Sequence, residues 1–408
     1  SLLSTDSTDR HAIPQVKTAM KRAPTADILW LFIATRLLLV VATYIGFILF
    51  PVPPHVYPVK AVDIVGLLSS WNHWDAANYT RIAQYGYQNV FDTAFFPLFP
   101  WLIKGVAFLF GNQGYIAIGM IISNLALLGA LFVLYQIASD VLGDQVGRRT
   151  LLYLCIFPTA FFFFAAYNEA LFLFLTSCAF LAIRRQKWWL AGLLGLFAAL
   201  TRSAGLLLVI PYLYELWVAR QNFIDGEQNN LSKLRQTLPR LLPIVLIPAG
   251  TLIYCLYCWK LFNNPIAFLT VQSHWDRQAA FPWIGFWDAL RELLSIQPFG
   301  SFYEVHILLD LAATVGFIAL AILGWRRLRT SYTIWIGLLL FFTLISPAIH
   351  QPDALVSNQR FVLEMFPGFI TLAALGVKHP RLHQGIMVAF PFLQATMALL
   401  FILNRWMV

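Results

Sequence analysis

The sequence predicts an all-α polytopic membrane protein with about eleven transmembrane helices and further helices in the loops of one face. Three observations carry this. Hydrophobic residues make up 59% of the chain and charged residues 12%, against about 45–50% and about 25% in soluble domains; mean hydropathy is +0.70. The apolar residues gather in runs of helix-spanning length. Lys and Arg alternate from loop to loop between rich and poor.

The first 26 residues are polar, with Arg10, Lys17, Lys21 and Arg22, and read as a cytoplasmic tail. The run 27–50 follows as an uncleaved anchor. Further apolar runs fall at roughly 115–138, 150–166, 168–183, 188–201, 204–218, 239–262, 306–324, 331–349, 361–376 and 386–403. Helices fit these runs, because an open sheet leaves backbone groups unpaired in lipid and barrel strands are shorter and alternate. Residues 27–408 thus read as one transmembrane domain.

With the N-terminus inside, 18 of the 28 Lys and Arg lie in inside segments, nine lie outside or at outer helix ends, and Arg36 falls within the first span. The net charge of +9 is therefore loop patterning and not a nucleic-acid footprint. Inside loops are mostly short and basic. The outside carries long segments at about 51–114 and 263–305 and a shorter one at 350–360, rich in His, Trp and acids. Function tends to sit in such loops on a rigid scaffold.

The motif WNHWDAANYTRIAQYGY, residues 71–87, reads as a helix ending at Gly86. Asp75 beside Trp74 and near Asn78 and Arg81 suits a general base at the membrane surface; a plain interfacial amphipathic helix fits the same pattern. AFFPLFPWLIK, residues 94–104, has two prolines three apart. That excludes an ordinary helix interior and suggests a re-entrant segment or a membrane-entry loop. Asn168 and Glu169 interrupt one apolar stretch and Arg202 another, both at the outer face. Such groups at membrane depth are costly unless paired or functional, although a hairpin also needs polar residues to turn.

QSHWDRQ brings His274, Asp276 and Arg277, and SPAIHQPDALVSNQRF brings His350, Asp353, Gln359 and Arg360. Arginine and histidine there suit phosphate binding. Glu364, one turn after Arg360, offers it an intrahelical partner. The histidines are too scattered for a metal site. Cys255 and Cys258 lie in an apolar run with no second pair and read as packing residues. The sequence has no Walker A motif, no G-x-G-x-x-G and no H-E-x-x-H.

These motifs resemble the GPI mannosyltransferase II family, PIG-V, and its bacterial relatives. HWDAANYTRIAQYGY is similar to the family's Trp-Asp, Ile-Ala and Gly-Tyr pattern, and TAFFPLFP to its Phe-Phe-Pro-x-Phe-Pro segment. AYNEALFLFLT resembles its Tyr-Ser-Glu-Ala-Leu-Phe element, with Asn168 where serine is usual. LTRSAGLLL resembles its Arg-Ser-Asn-Gly element, with Ala204 for asparagine, and NQRFVLEMFP fits a later Arg-Phe motif more weakly. The resemblance covers roughly residues 70–210.

It implies a GT-C-type glycosyltransferase of the plasma membrane, acting on the extracytoplasmic side. Mannose would move with inversion from polyprenyl-phosphate-mannose to a lipid-linked glycan. Asp75 would be the base and Glu169 its rival. Arg202, Arg81, Arg360 and His350 would meet the phosphate; Trp74, Asn78, Asn168, Glu169 and His274 would meet sugar and acceptor. No metal or other cofactor is required, since a lipid phosphate leaves readily. A transporter or lipid flippase is the alternative, but it calls for charges at mid-span, whereas these cluster at outer helix ends. A non-catalytic lipid-binding subunit is a third reading.

Overall fold

The computed structural model describes residues 24–49, 63–223, 230–295 and 300–405. Most of the expected tail and the start of the first outer loop, Lys60 included, lie outside the described residues. The described residues are mostly helical: α1 Thr25–Leu49, α2 Ile64–Ser69, α3 Asp75–Tyr85, α4 Leu98–Leu109, α5 Tyr115–Leu142, α6 Asp144–Ile156, α7 Glu169–Arg184, α8 Trp188–Thr201 and α9 Val209–Phe223 come first. They are followed by α10 Asn230–Leu241, α11 Leu246–Phe262, α12 Ala267–Thr270, α13 Pro282–Ser295, α14 Phe302–Gly324, α15 Thr330–Leu344, α16 Asn358–Phe361, α17 Phe366–Lys378 and α18 Pro380–Ile402. No strand forms among the described residues.

Five helices are long and apolar enough to cross a membrane: α1, α5, α14, α18 and the continuous Leu234–Phe262. A bent pair, Asn358–Glu364 with Phe366–Lys378, makes a sixth if taken as one span. The expected count of about eleven full spans is not displayed. The other apolar runs form shorter helices such as α7, α8, α9 and α15, of 14 to 16 residues. Several continue at the outer end as irregular or 3₁₀ backbone, as in Ala160–Phe163 and Ser203–Leu208. Non-helical backbone is tolerated at membrane depth where protein covers it, and Ala160, Phe161, Phe162 and Phe163 are all buried.

The loop elements follow their sequence signals. Helix α3 stops at Gly86, whose φ is +77°. In AFFPLFP, Pro97 caps α4 and Pro100 lies in its first turn, where no intrahelical donor is lost. The resulting helix is buried on one side through Phe99, Ile103 and Ala107. Close packing of α8 on α11 and on the turn Leu242–Val245 before it depends on small residues: a methyl group at Gly192 would overlap the Pro243 carbonyl, and one at Gly250 the Leu196 carbonyl. All four cysteines are free.

Helices α7 and α8 define two ends of the bundle. α7 runs from Glu169 to Arg184, and α8 returns from Trp188 to Thr201. Glu169, Arg202 and Asp75 gather at one end, lining a common cavity. Arg184 and Arg185 lie at the other, paired with Asp140 and Gln136 near the end of α5.

Candidate active site

A cavity of about 890 Å³ opens at the end of the bundle away from the basic loops. Asp75 is the first residue of α3, and its amide N–H donates to the Tyr167 hydroxyl at 3.3 Å. Glu169 is the first residue of α7, where the positive end of the helix dipole favours a carboxylate. Arg202 follows α8 in extended backbone. Arg360 lies in the short α16, held from three sides: Thr159 donates to the Gln359 carbonyl at 2.7 Å, the Gln359 amide donates to Asp310 Oδ1 at 2.8 Å, and Asn358 Nδ2 donates to Thr314 Oγ1 at 3.0 Å.

These groups form a chain of alternating charge. Asp75 Oδ2 lies 2.6 Å from Arg360 Nη1, and Arg360 Nε lies 3.4 Å from Glu169 Oε1. The same Glu169 oxygen is 3.2 Å from Arg202 Nη1, which is 2.6 Å from Glu364 Oε1. The acids differ in access. The Asp75 side chain is 27% exposed, Glu169 2% and Glu364 4%, so Asp75 alone of the three faces open space. The expected Arg360–Glu364 pair within one helix is therefore replaced. The chain bends by 86° between Glu364 and Phe366, where Met365 leaves the helical conformation and Pro367 has no N–H for a continuous helix. Arg360 is thereby left to partners from α3 and α7.

A third arginine completes the site. Arg277 donates to the carbonyls of Ser346 and Val356, both at 2.9 Å. Its strand-like contact with Ala348 pins the loop after α12 to the loop after α15. No carboxylate of the described residues lies within ion-pair distance of it. Burial, then the neighbouring Arg360 guanidinium, push Arg277 down to about 10, so it stays charged at neutral pH and gains from a nearby anion. The guanidinium carbons of Arg202, Arg360 and Arg277 lie 5.1, 5.2 and 5.4 Å from one ring, that of Phe361. The sequence brought Arg277 forward with the other loop arginines and histidines as suited to a phosphate; nothing local shows that its hydrogen bonds go to carbonyls and not to a carboxylate.

Backbone strain concentrates here. Trp74, Asp276 and Ser357 have φ of +54°, +57° and +73°. Trp74 and Asp276 immediately precede Asp75 and Arg277, and Ser357 begins the turn that presents Arg360. Such conformations cost about 1–3 kcal/mol each and cluster at functional sites.

Seven of the ten residues selected from sequence line the cavity: Trp74, Asp75, Asn78, Asn168, Glu169, Arg202 and Arg360. Asn168 also ties α7 to α8, its Nδ2 donating to the Thr201 carbonyl at 2.9 Å. Three residues are placed elsewhere. Arg81 forks onto Asp92, with Nη2–Oδ1 at 2.6 Å and Nη1–Oδ2 at 3.2 Å. Burial raises the Asp92 carboxyl, but Arg81 and the amides of Gln88 and Asn89 outweigh it and hold it below the ordinary carboxylate range. This pair fixes the loop after α3 and leaves Arg81 no fork for a phosphate. His274 is exposed and packs on Phe91 at 4.4 Å. His350 is exposed and meets Gln278 Nε2 at 3.1 Å. Among the described residues no group of three or more His, Cys, Asp or Glu is arranged to hold a metal ion.

The family model described as mannosyltransferase (PIG-V) matches residues 54–283, more than half of the chain. The chain belongs to the PIG-V mannosyltransferase family. The matched region includes Asp75, Glu169, Arg202 and Arg277; Arg360 and Glu364 come from beyond it. Among PIG-V relatives, mouse (Mus musculus) GPI alpha-1,6-mannosyltransferase 2 is 39% identical over 165 residues, covering 38% of this chain and 34% of the mouse protein. The human (Homo sapiens) protein is 35% identical over 168 residues, with the same coverage. The similarity thus spans about a third of these relatives' length. The fold resembles that of ArnT from Cupriavidus metallidurans, solved bound to undecaprenyl phosphate. That TM-score is 0.50 at 14% identity, over 90% of this chain and 63% of ArnT. The chain is a multi-pass membrane protein of the GT-C fold.

Proposed function

We propose that the chain moves a mannosyl residue from a polyprenyl-phosphate-mannose donor to a lipid-linked glycan, on the extracytoplasmic side of the plasma membrane. The observation that carries this is Arg277, a partly buried cation in the cavity whose hydrogen bonds go to the carbonyl oxygens of Ser346 and Val356 and to no carboxylate. It shares the Phe361 ring with two further arginines. A phosphate fits that cluster, and the adjoining wall of Phe268, Leu269, Leu339, Phe342, Ile345 and Met365 is apolar enough for the start of a polyprenyl tail. The extracytoplasmic assignment rests on the basic loops lying at the opposite end of α7 and α8.

In the proposed reaction an acceptor hydroxyl attacks the anomeric carbon as Asp75 takes its proton. The bond from that carbon to the phosphate oxygen breaks, and its electron pair leaves with the lipid phosphate, toward the arginines. One displacement inverts the anomeric centre. Asp75 suits the base role better than Glu169, because Glu169 is buried between two guanidinium groups. We propose transfer without a metal ion, since each cavity acid already faces an arginine; activity should then survive EDTA, and a loss restored by manganese or magnesium would contradict it.

The test supplies purified full-length protein with radiolabelled polyprenyl-phosphate-mannose and a crude membrane lipid extract. The expected result is label in a new lipid-extractable product. Transfer only from a nucleoside-diphosphate-mannose would overturn the donor, and no transfer from either would overturn the reading.

A further inference from the structure

The contact between Asp75 and Arg360 poses a problem for a base. Asp75 Oδ2, on the acid open to the cavity, already accepts the Arg360 Nη1–H at 2.6 Å. One of the two carboxylate oxygens is thus taken by the ion pair, and only the other is left for the acceptor's proton. The Arg360 side chain is nonetheless the movable part. Its backbone is tied through Asn358 and Gln359 to Thr314, Asp310 and Thr159, whereas its guanidinium is divided among Asp75, Glu169 and three aromatic faces, those of Phe162, Tyr167 and Phe361. Through Phe361 it adjoins Arg202 and Arg277. An anion held by those two lies within reach of the same guanidinium.

We propose that Arg360 is a switch between base and donor: without donor it clamps the Asp75 carboxylate, and a lipid phosphate seated on the arginine cluster draws it off and frees Asp75 for the acceptor. The proposal rests on the reading that the cavity takes a lipid-phosphate donor. The groups that face the clamp are Asp75 from α3, Tyr167 and Glu169 at the start of α7, Arg202 after α8, Arg277 from the outer loop and Glu364 beyond α16. Arg202 does not take this part, because its acid partners are Glu364 and Glu169 and it makes no ion pair with Asp75. Donor therefore binds first, and the acceptor meets an active base only on the donor complex.

The switch makes a prediction that a simple base does not. If phosphate and Asp75 compete for Arg360, removing the carboxylate charge strengthens donor binding while abolishing the chemistry. Coupling between two linked events is reciprocal and typically amounts to about 5- to 150-fold. Binding of polyprenyl-phosphate-mannose is measured on the full-length protein in nanodiscs for wild type, Asp75→Asn, Arg360→Gln and the double variant. Asp75→Asn is expected to bind at least about fivefold more tightly than wild type, and the gain to vanish in the Arg360→Gln background. Equal or weaker binding by Asp75→Asn, or a gain that persists without Arg360, overturns the switch. A companion measurement needs no variant: steady-state kinetics of the wild type should show ordered addition with donor first, and random order overturns the proposal. Wild type that binds no polyprenyl-phosphate-mannose refutes the donor reading instead, so the two failures are distinct.

Discussion

The two ends of the helix bundle use arginine in opposite ways. At the basic end, Arg148 bridges Asp27 and Asp144 with 45% of its side chain exposed, and Arg184 reaches Asp140, itself half exposed. Water and salt screen such pairs, and each contributes about 0–1 kcal/mol. In the proposed orientation their work is topological, since basic loops tend to stay inside. At the cavity end, Arg360 is 10% exposed and Arg202 20%, and their acids are mostly buried. There each charge needs a partner, and the pattern of partners decides what else the site accepts. Burial and partner type, more than the number of arginines, separate the two ends.

That contrast can be broken or sharpened by substitution. The largest effect falls on Asp75, since a general base contributes typically about 10²–10⁴-fold. Asp75→Asn should slow single-turnover transfer by that order, and Glu169→Gln by less. If Asp75→Asn keeps near-normal turnover while Glu169→Gln abolishes it, the base role moves to Glu169. Next comes Arg202→Ala, which leaves Glu169 and Glu364 facing each other with one arginine fewer. Breaking a buried pair in this way costs about 3–5 kcal/mol, to be read as lowered thermal stability in detergent together with weakened donor binding. Arg277→Ala removes no ion pair, so stability should fall less. Donor affinity should drop roughly 10- to 100-fold, the worth of a hydrogen bond to a charged group. The smallest effect belongs to the basic end: Arg148→Ala should change stability by less than about 1 kcal/mol and leave transfer intact. A loss at Arg148 as large as at Arg202 would erase the distinction.

Much of the site was legible because its signals are local. A tryptophan-aspartate pair at the start of a short helix, a glycine that ends it, and an Asn-Glu step that interrupts an apolar run can each be read within a few residues. All three proved to lie on the cavity wall or to shape it. The partners of Arg360 were not legible. The four-residue spacing to Glu364 points to an intrahelical pair, but Pro367 breaks that geometry and the actual partner, Asp75, is 285 positions away in the chain. Arg81 is placed off the cavity wall for a related reason: Asp92, eleven residues on, folds back onto it through a 3₁₀ turn that no helix periodicity anticipates. The fold class followed from composition and charge alternation, but the number of full spans did not. An apolar run such as 150–166 is divided between the end of α6 and buried 3₁₀ backbone, and hydropathy does not distinguish that from a continuous helix.

The central claim is that the cavity performs one displacement with a lipid phosphate as leaving group. It is tested most directly by following both products of a single reaction, the released lipid and the anomeric configuration of the transferred mannose. The account predicts one polyprenyl monophosphate released per mannose transferred and a configuration opposite to that of the donor. Retained configuration, or transfer without stoichiometric polyprenyl monophosphate, would contradict it.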